Sequence, residues 1–203
     1  MSDEPDRDLF AVVNRQRACR EFADTPVTDA ELGPLLEAAT HAPSAENRQP
    51  WEFVIVRDPV TRAAIGELTR KAWEEHGRAF SESRLTPKML ADVDKGATGG
   101  VAAAPVHVVV CADIERGLEV TIGSSIFPAV QNLLLAATAV GLGSALTTIT
   151  TTYRAELREL LALPAPVVPV AVVPIGHPAR ELGRPRREPF AAHTHREQYG
   201  KAW

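Results

Sequence analysis

The sequence predicts an α/β or α+β domain, and three observations predict it. Apolar periodicity switches repeatedly between helix-like and strand-like stretches. Two helical stretches precede the first strand, whereas a doubly wound fold opens on a strand. The 203 residues, 45% apolar and 24% charged, match a soluble globular chain long enough to bury one core without a metal or disulfide framework. One domain, residues 1–203, is expected, and a wholly disordered chain is excluded.

Residues 8–16 predict a first helix, with Leu9, Val12 and Val13 on one face. Residues 28–41 predict a second. Thr28, three residues ahead of Glu31, makes a capping box, and Leu32, Leu35, Leu36 and Ala39 form the apolar stripe. His41-Ala42-Pro43 ends it, because the residue before proline avoids the helical region. Residues 51–57 (WEFVIVR) predict a strand buried on both faces. Asp58-Pro59 then caps a long helix reaching about Phe80. Residues 81–100 are polar and glycine-ended and are expected as a mobile excursion. Residues 104–112 (APVHVVVCA) predict a buried strand, and residues 124–140 a helix apolar nearly all round, hence central and covered. Gly141 terminates it. Residues 145–152 read as a threonine-rich extended piece and residues 153–161 as a short helix. Residues 167–175 (VVPVAVVPI) predict a strand that Pro169 and Pro174 confine to an edge or a bulge. From Gly176 onward the chain is proline-broken and almost without apolar periodicity.

Several function classes fall away at this level. A net charge of −4 gives no basic field for nucleic acid. Residues 1–8 are polar and acidic, unlike a signal peptide, and apolar runs such as 167–175 fall far below the ~20 residues of a spanning helix. A cytoplasmic protein is therefore expected, with its two cysteines reduced; counting alone leaves one Cys19–Cys111 bridge open. No G-x-G-x-x-G follows a strand, and no P-loop, H-E-x-x-H or G-x-S-x-G occurs. His193-Thr-His195 reads as a solvated tail, His41 as a helix-end residue and His107 as a core histidine, so no metal site is expected.

Three segments carry more. Arg17 and Arg20 leave the first helix three residues apart. Guanidinium forks so placed can clamp a phosphate, although a basic turn alone would read as solvated. Residues 42–51 (APSAENRQPW) join a helix to a buried strand. They form a rigid loop of backbone amides and polar side chains of the kind a planar heterocycle requires. Residues 141–148 (GLGSALTT) expose amides and hydroxyls after the central helix, and Arg184, Arg186 and Arg187 add positive charge further on.

In this order, over about residues 10–189, these segments resemble the nitroreductase family of FMN-dependent flavoproteins. The family's R-x-x-R-x-F falls on residues 17–22, its A-P-S-x-x-N-x-Q-P-W unbroken on 42–51, its G-L-G on 141–143 and its late R-x-P on 187–189. The resemblance implies an α+β fold: a three-layer α/β/α sandwich around a central, mostly antiparallel sheet. It implies a homodimer that exchanges an extended C-terminal arm, residues 177–203, and a variable lid at residues 81–100. It implies FMN as cofactor and NAD(P)H as electron donor. Arg17 and Arg20 would bind the FMN phosphate and ribityl chain, with Arg187 completing the phosphate site. Pro43, Ser44 and Asn47 would lie against the isoalloxazine, reaching in from the second subunit. Thr147 and Thr148 would sit near flavin N5 and the pyrimidine side, as in the dehalogenase-like branch. The chain departs from the pattern at Gln16, often arginine in the family, and at Ala18, often serine.

The activity so implied is ping-pong hydride transfer from NAD(P)H through flavin N5 to nitroaromatic or quinone acceptors. No side-chain acid or nucleophile is required, so no catalytic residue is named. Two alternatives stand beside it: a flavin-storing protein without turnover, and a dehalogenase-like or flavin-fragmenting member of the same family.

Overall fold

The computed structural model describes residues 8–203; the acidic start read from residues 1–8 lies, Asp8 apart, outside the described residues. Helix α1 (Leu9–Arg15) opens on Asp8, whose carboxylate accepts the Ala11 N–H at 3.0 Å. Helix α2 (Asp29–Thr40) carries the expected capping box. Thr28 Oγ1 accepts from the Glu31 amide at 3.2 Å, and Glu31 Oε2 accepts from the Thr28 amide at 2.8 Å. The Thr28 backbone and hydroxyl donors hold the Glu31 carboxyl below its ordinary range. Thr28→Ala removes the acceptor for the Glu31 amide and should lower stability by about 1 kcal/mol. Urea denaturation checks this: the midpoint should fall with an unchanged slope.

Strand β1 (Trp51–Val56) leads to α3 (Pro59–Ala72), which starts on Asp58 and Pro59. The long helix continues past Ala72 through a π turn (Trp73–Gly77) into α4 (Arg78–Glu82). Residues 81–100, expected as an excursion without regular structure, are largely helical. They hold α5 (Pro87–Lys95) and a second π turn (Gly96–Gly100) that runs into α6 (Val101–Ala103). A cap hidden in the polar run explains the difference. Thr86 Oγ1 accepts the Met89 N–H at 3.3 Å, and Pro87 takes the first helical position, where its missing donor costs little.

Strand β2 (Val106–Asp113) precedes α7 (Glu119–Ala139), which begins five residues earlier than the apolar pattern indicated. Gly141 ends α7 at φ 83°, in a Schellman arrangement: the Leu142 amide reaches Ala137 O at 2.8 Å and the Gly141 amide reaches Thr138 O at 3.2 Å. Next come β3 (Gly143–Ser144), α8 (Arg154–Leu160) and β4 (Val167–Gly176). The extended piece expected at residues 145–152 is mostly not one. Thr147 pairs with Val172, and Ile149–Tyr153 winds into a 3-10 turn.

The sheet order is β1-β2-β4-β3, and every pairing is antiparallel. Strand β2 is buried along nearly its whole length, and its alternation assigns its faces. Val106, Val108, Val110 and Ala112 pack with Leu35 of α2 and Ile126, Leu133 and Ala137 of α7. Val109 and Cys111 turn to the other face, against Ile65 of α3, Leu157 of α8 and Val172. These are the three layers of the expected sandwich. The register of β2 on β4 shifts between Val110 and Cys111, whose partners Ala171 and Pro169 bracket an unpaired Val170. Pro169 therefore sits at a bulge, as its missing donor requires. Helix α7 alone among the described residues is long and apolar enough to cross a membrane, which the sequence reading did not anticipate. Its buried face, from Ile126 to Ala137, is core. Cys19 and Cys111 are free and buried.

Candidate functional site

The chain after α1 is sewn between two others. Ala18 bridges Ser144 in parallel, and the Cys19 amide donates to Ser144 O at 2.9 Å. On the far side, the Ala23 amide donates to His177 O at 2.8 Å and the Ala179 amide to Glu21 O at 3.0 Å. The G-L-G segment is shaped for this. Gly141 takes the positive φ, and a Cβ on Gly143 would come within 2.6 Å of Cys19 Sγ. Burial pushes the Cys19 thiol up, so it is no nucleophile at neutral pH.

Arg17 and Arg20 face different cavities. Arg20 lines a cleft of about 180 Å³ together with Thr147 and Thr148, and its walls include Thr69, Val93, Ala97, Val101 and Ile149. Arg17 lines a second, of about 340 Å³, with Arg15, Arg180, Glu181 and residues 141–143. Its Nη1 donates to Gly183 O at 2.9 Å, which ties the start of the C-terminal arm to this cavity. The structure therefore brings Arg20 to the two threonines and separates both from Arg17.

The threonine run is held from below. Thr147 exchanges backbone hydrogen bonds with Val172, at 2.9 and 2.8 Å. Thr150 is fully buried, and its hydroxyl meets that of Thr69 at 2.7 Å. The Thr151 hydroxyl donates to Thr148 O at 2.7 Å.

Pro43, Ser44 and Asn47 line neither cavity. Their loop lies on α7, where the Ala45 amide donates to Ser125 Oγ at 3.2 Å. Glu46, Asn47 and Gln49 all adopt positive φ, near 50°. Three non-glycine residues in that region within four positions store strain, and such strain concentrates at ligand-contacting segments. Ser44 Oγ accepts the Gln49 amide at 3.0 Å, and Gln49 Nε2 donates to Asn47 Oδ1 at 3.1 Å, so the loop is braced in this shape.

Arg187 is exposed and lines neither cavity; its Nη1 donates to the neighbouring Arg186 O at 2.9 Å. Arg180, which sequence reasoning passed over, is the arm residue beside Arg17. It also pairs with Glu21 at 3.3 Å, and Lys95 meets the same carboxylate at 2.8 Å. Lys95 first, then Arg180, holds the Glu21 carboxyl below its ordinary range. An arginine four residues beyond a strand end carries no motif, so only the return of the arm onto residues 17–23 could reveal it.

These features agree with what the chain is similar to. A Methanothermobacter thermautotrophicus protein provisionally named NADH dehydrogenase/NAD(P)H nitroreductase is 31% identical over 184 residues, which is 87% of this chain and 80% of that protein. Human iodotyrosine deiodinase 1 is 26% identical over 207 residues, 91% of this chain and 66% of its own. Among solved structures, a provisionally named nitroreductase of Desulfovibrio desulfuricans in complex with FMN superimposes with a TM-score of 0.72. It is 27% identical, over 96% of this chain and 99% of that one. The Nitroreductase family model matches residues 13–177, the span that holds α2, the whole sheet, Arg17, Arg20 and the Thr147–Thr148 pair, and the chain belongs to that family.

Proposed function

We propose that this chain is an FMN-dependent oxidoreductase that carries electrons from NAD(P)H to nitroaromatic or quinone acceptors. The observation that carries the reading is the pair of cavities on either side of residues 17–20. The larger gathers Arg15, Arg17 and Arg180, three guanidinium groups against one lining carboxylate, Glu181, a donor set suited to a phosphate dianion. The smaller sets Arg20 and two threonine hydroxyls against apolar walls, a lining suited to a polar heteroaromatic ring. The residues present thus fit FMN.

FMN, when bound, would supply the redox chemistry that carries electrons from NAD(P)H to an acceptor. The chain's own residues do the rest. Arg17, with Arg15 and Arg180, would hold the phosphate. Arg20 would place positive charge beside the ring, where negative charge develops on reduction. Thr147 and Thr148 would offer hydroxyl donors from a backbone locked to β4. Val93, Ala97 and Val101 would exclude water.

One copy does not complete the site. The smaller cleft lies below the ~300 Å³ usual for a ligand pocket. Pro43, Ser44 and Asn47 sit on a braced loop away from it. Exposed apolar side chains stand on α1 (Leu9, Phe10, Val13) and on one face of the N-terminal half of α7 (Val120, Phe127), the helix on which that loop lies. A homodimer covering this face would bring the loop of one copy to the cleft of the other.

The similarity to iodotyrosine deiodinase 1, with the threonine pair at residues 147–148, supports a second reading as a reductive dehalogenase. The test is anaerobic titration of FMN-loaded protein with NADH and, separately, NADPH. The flavin absorption band should bleach with one or both and return on adding a nitroaromatic or a quinone. Bound FMN that neither nucleotide bleaches would overturn the oxidoreductase reading and leave storage. Reoxidation by a halogenated aromatic with halide release would favour the second.

A further inference from the structure

Helix α5 and the turn after it form one face against Arg20 and Glu21. Asp92, Lys95, Gly96 and Gly100 recur at helical spacing on that face. Asp92 Oδ2 accepts from Arg20 Nη1 at 2.6 Å. Lys95 reaches Glu21 at 2.8 Å. A Cβ on Gly96 would stand 2.4 Å from Arg20 Cδ, and one on Gly100 2.4 Å from Arg20 O. The arginine stem therefore lies in a trough that only glycine leaves open, and its head is fixed by a carboxylate at the trough's end. Both members of the ion pair are partly shielded, with side chains 26% and 37% exposed, so solvent screens the contact less than at an open surface.

We propose that Asp92 is a positioning residue for the flavin chemistry: it orients the Arg20 guanidinium into the cleft and sets how much positive charge that guanidinium presents there. This rests on the proposed FMN reading. The ion pair engages Nη1, and the planar fork carries further N–H donors for a ligand. A carboxylate in direct contact offsets part of the arginine's charge, so reduced FMN, which carries the extra negative charge, is stabilised less than Arg20 alone would allow. The same contact joins the segment expected as a variable lid, residues 81–100, to the residue expected to tune the cofactor.

The test is the midpoint potential of FMN bound to the full-length protein in three forms: wild type, Asp92→Asn and Asp92→Glu. Asp92→Asn keeps the shape and removes the charge. Reduced FMN should then be held about tenfold more tightly relative to oxidised FMN, a rise of about 30 mV for a two-electron couple. Asp92→Glu should return the potential to near the wild-type value. An unchanged potential in Asp92→Asn, or an equal shift in both variants, would overturn the proposal, because packing and not charge would then be the role of Asp92. If Asp92→Asn folds but releases FMN, retention by Asp92→Glu supports the proposal and loss from both overturns it. Wild-type protein that binds no FMN would bring down the proposed function itself, and this inference with it.

Discussion

Gly100→Ala should lower the melting temperature of the flavin-free protein by about 3–6 °C, at the ~2–4 °C per kcal/mol expected for a chain of this size. Gly99→Ala, one residue earlier in the same turn, should leave it unchanged or raise it. Both substitutions gain the ~0.5–1 kcal/mol by which alanine exceeds glycine in a helix. They differ in what the new methyl meets. At Gly99 nothing lies within 4 Å. At Gly100 the methyl would stand 2.4 Å from the carbonyl oxygen of Arg20, a backbone atom that a side-chain rotation cannot move away. Overpacking of this kind costs about 1–3 kcal/mol, which exceeds the propensity gain. Relief requires the segment carrying Arg20 to withdraw from the turn, and FMN retention should weaken with it. Thermal denaturation of both variants, with an FMN titration of each, checks the pair. Equal melting temperatures would show that the turn yields freely.

The elements that could be read from sequence are those whose signals are local. The Thr28–Glu31 box, the glycine that ends α7 and the proline that bulges β4 each act within a few residues, and each stands where the pattern put it. The loop at residues 42–51 was legible as special because its residues are unusual together, and its three positive φ values give that a physical form. What sequence missed depends on distant neighbours. Residues 81–100 looked like loop because their glycines and charges satisfy the N-terminal segment instead of their own surroundings. Arg17 and Arg20 looked like one clamp because only the strand-like course of the chain beside Ser144 sends them to separate cavities. Thr150 looked like another member of a polar run, yet it is the buried one, paired with a threonine 81 positions earlier.

Acid should destabilise the protein well before its carboxylates titrate, and His107 is the reason. The ring is fully buried in β2. Its Nε2 lies 2.6 Å from Val101 O, which makes Nε2–H the donor, and Nδ1 has no hydrogen-bond partner. Protonation would bury a charge with an unpaired N–H. Burial first, helped by the Arg62 charge, pushes the imidazole down to about 4 from its ordinary 6.5. The sign follows from proton counts. Between pH 6.5 and 4 the unfolded chain holds one more proton at this site than the folded chain does. Stability is therefore full above pH 6.5 and falls as pH drops through that window, by about 1.4 kcal/mol per unit and about 3 kcal/mol in all. Glu21, Glu31, Asp58 and Glu67, whose carboxyls are held low by hydrogen bonds, add losses of their own only below about pH 4.5. Urea unfolding at pH 7 and pH 5 separates the two windows. Wild type should lose about 2 kcal/mol between them. His107→Gln, which can still donate to Val101 O but cannot titrate, should start less stable and show a nearly flat profile over the same range. A wild-type protein equally stable at both pH values, or a His107→Gln variant that keeps the slope, would assign the acid sensitivity elsewhere.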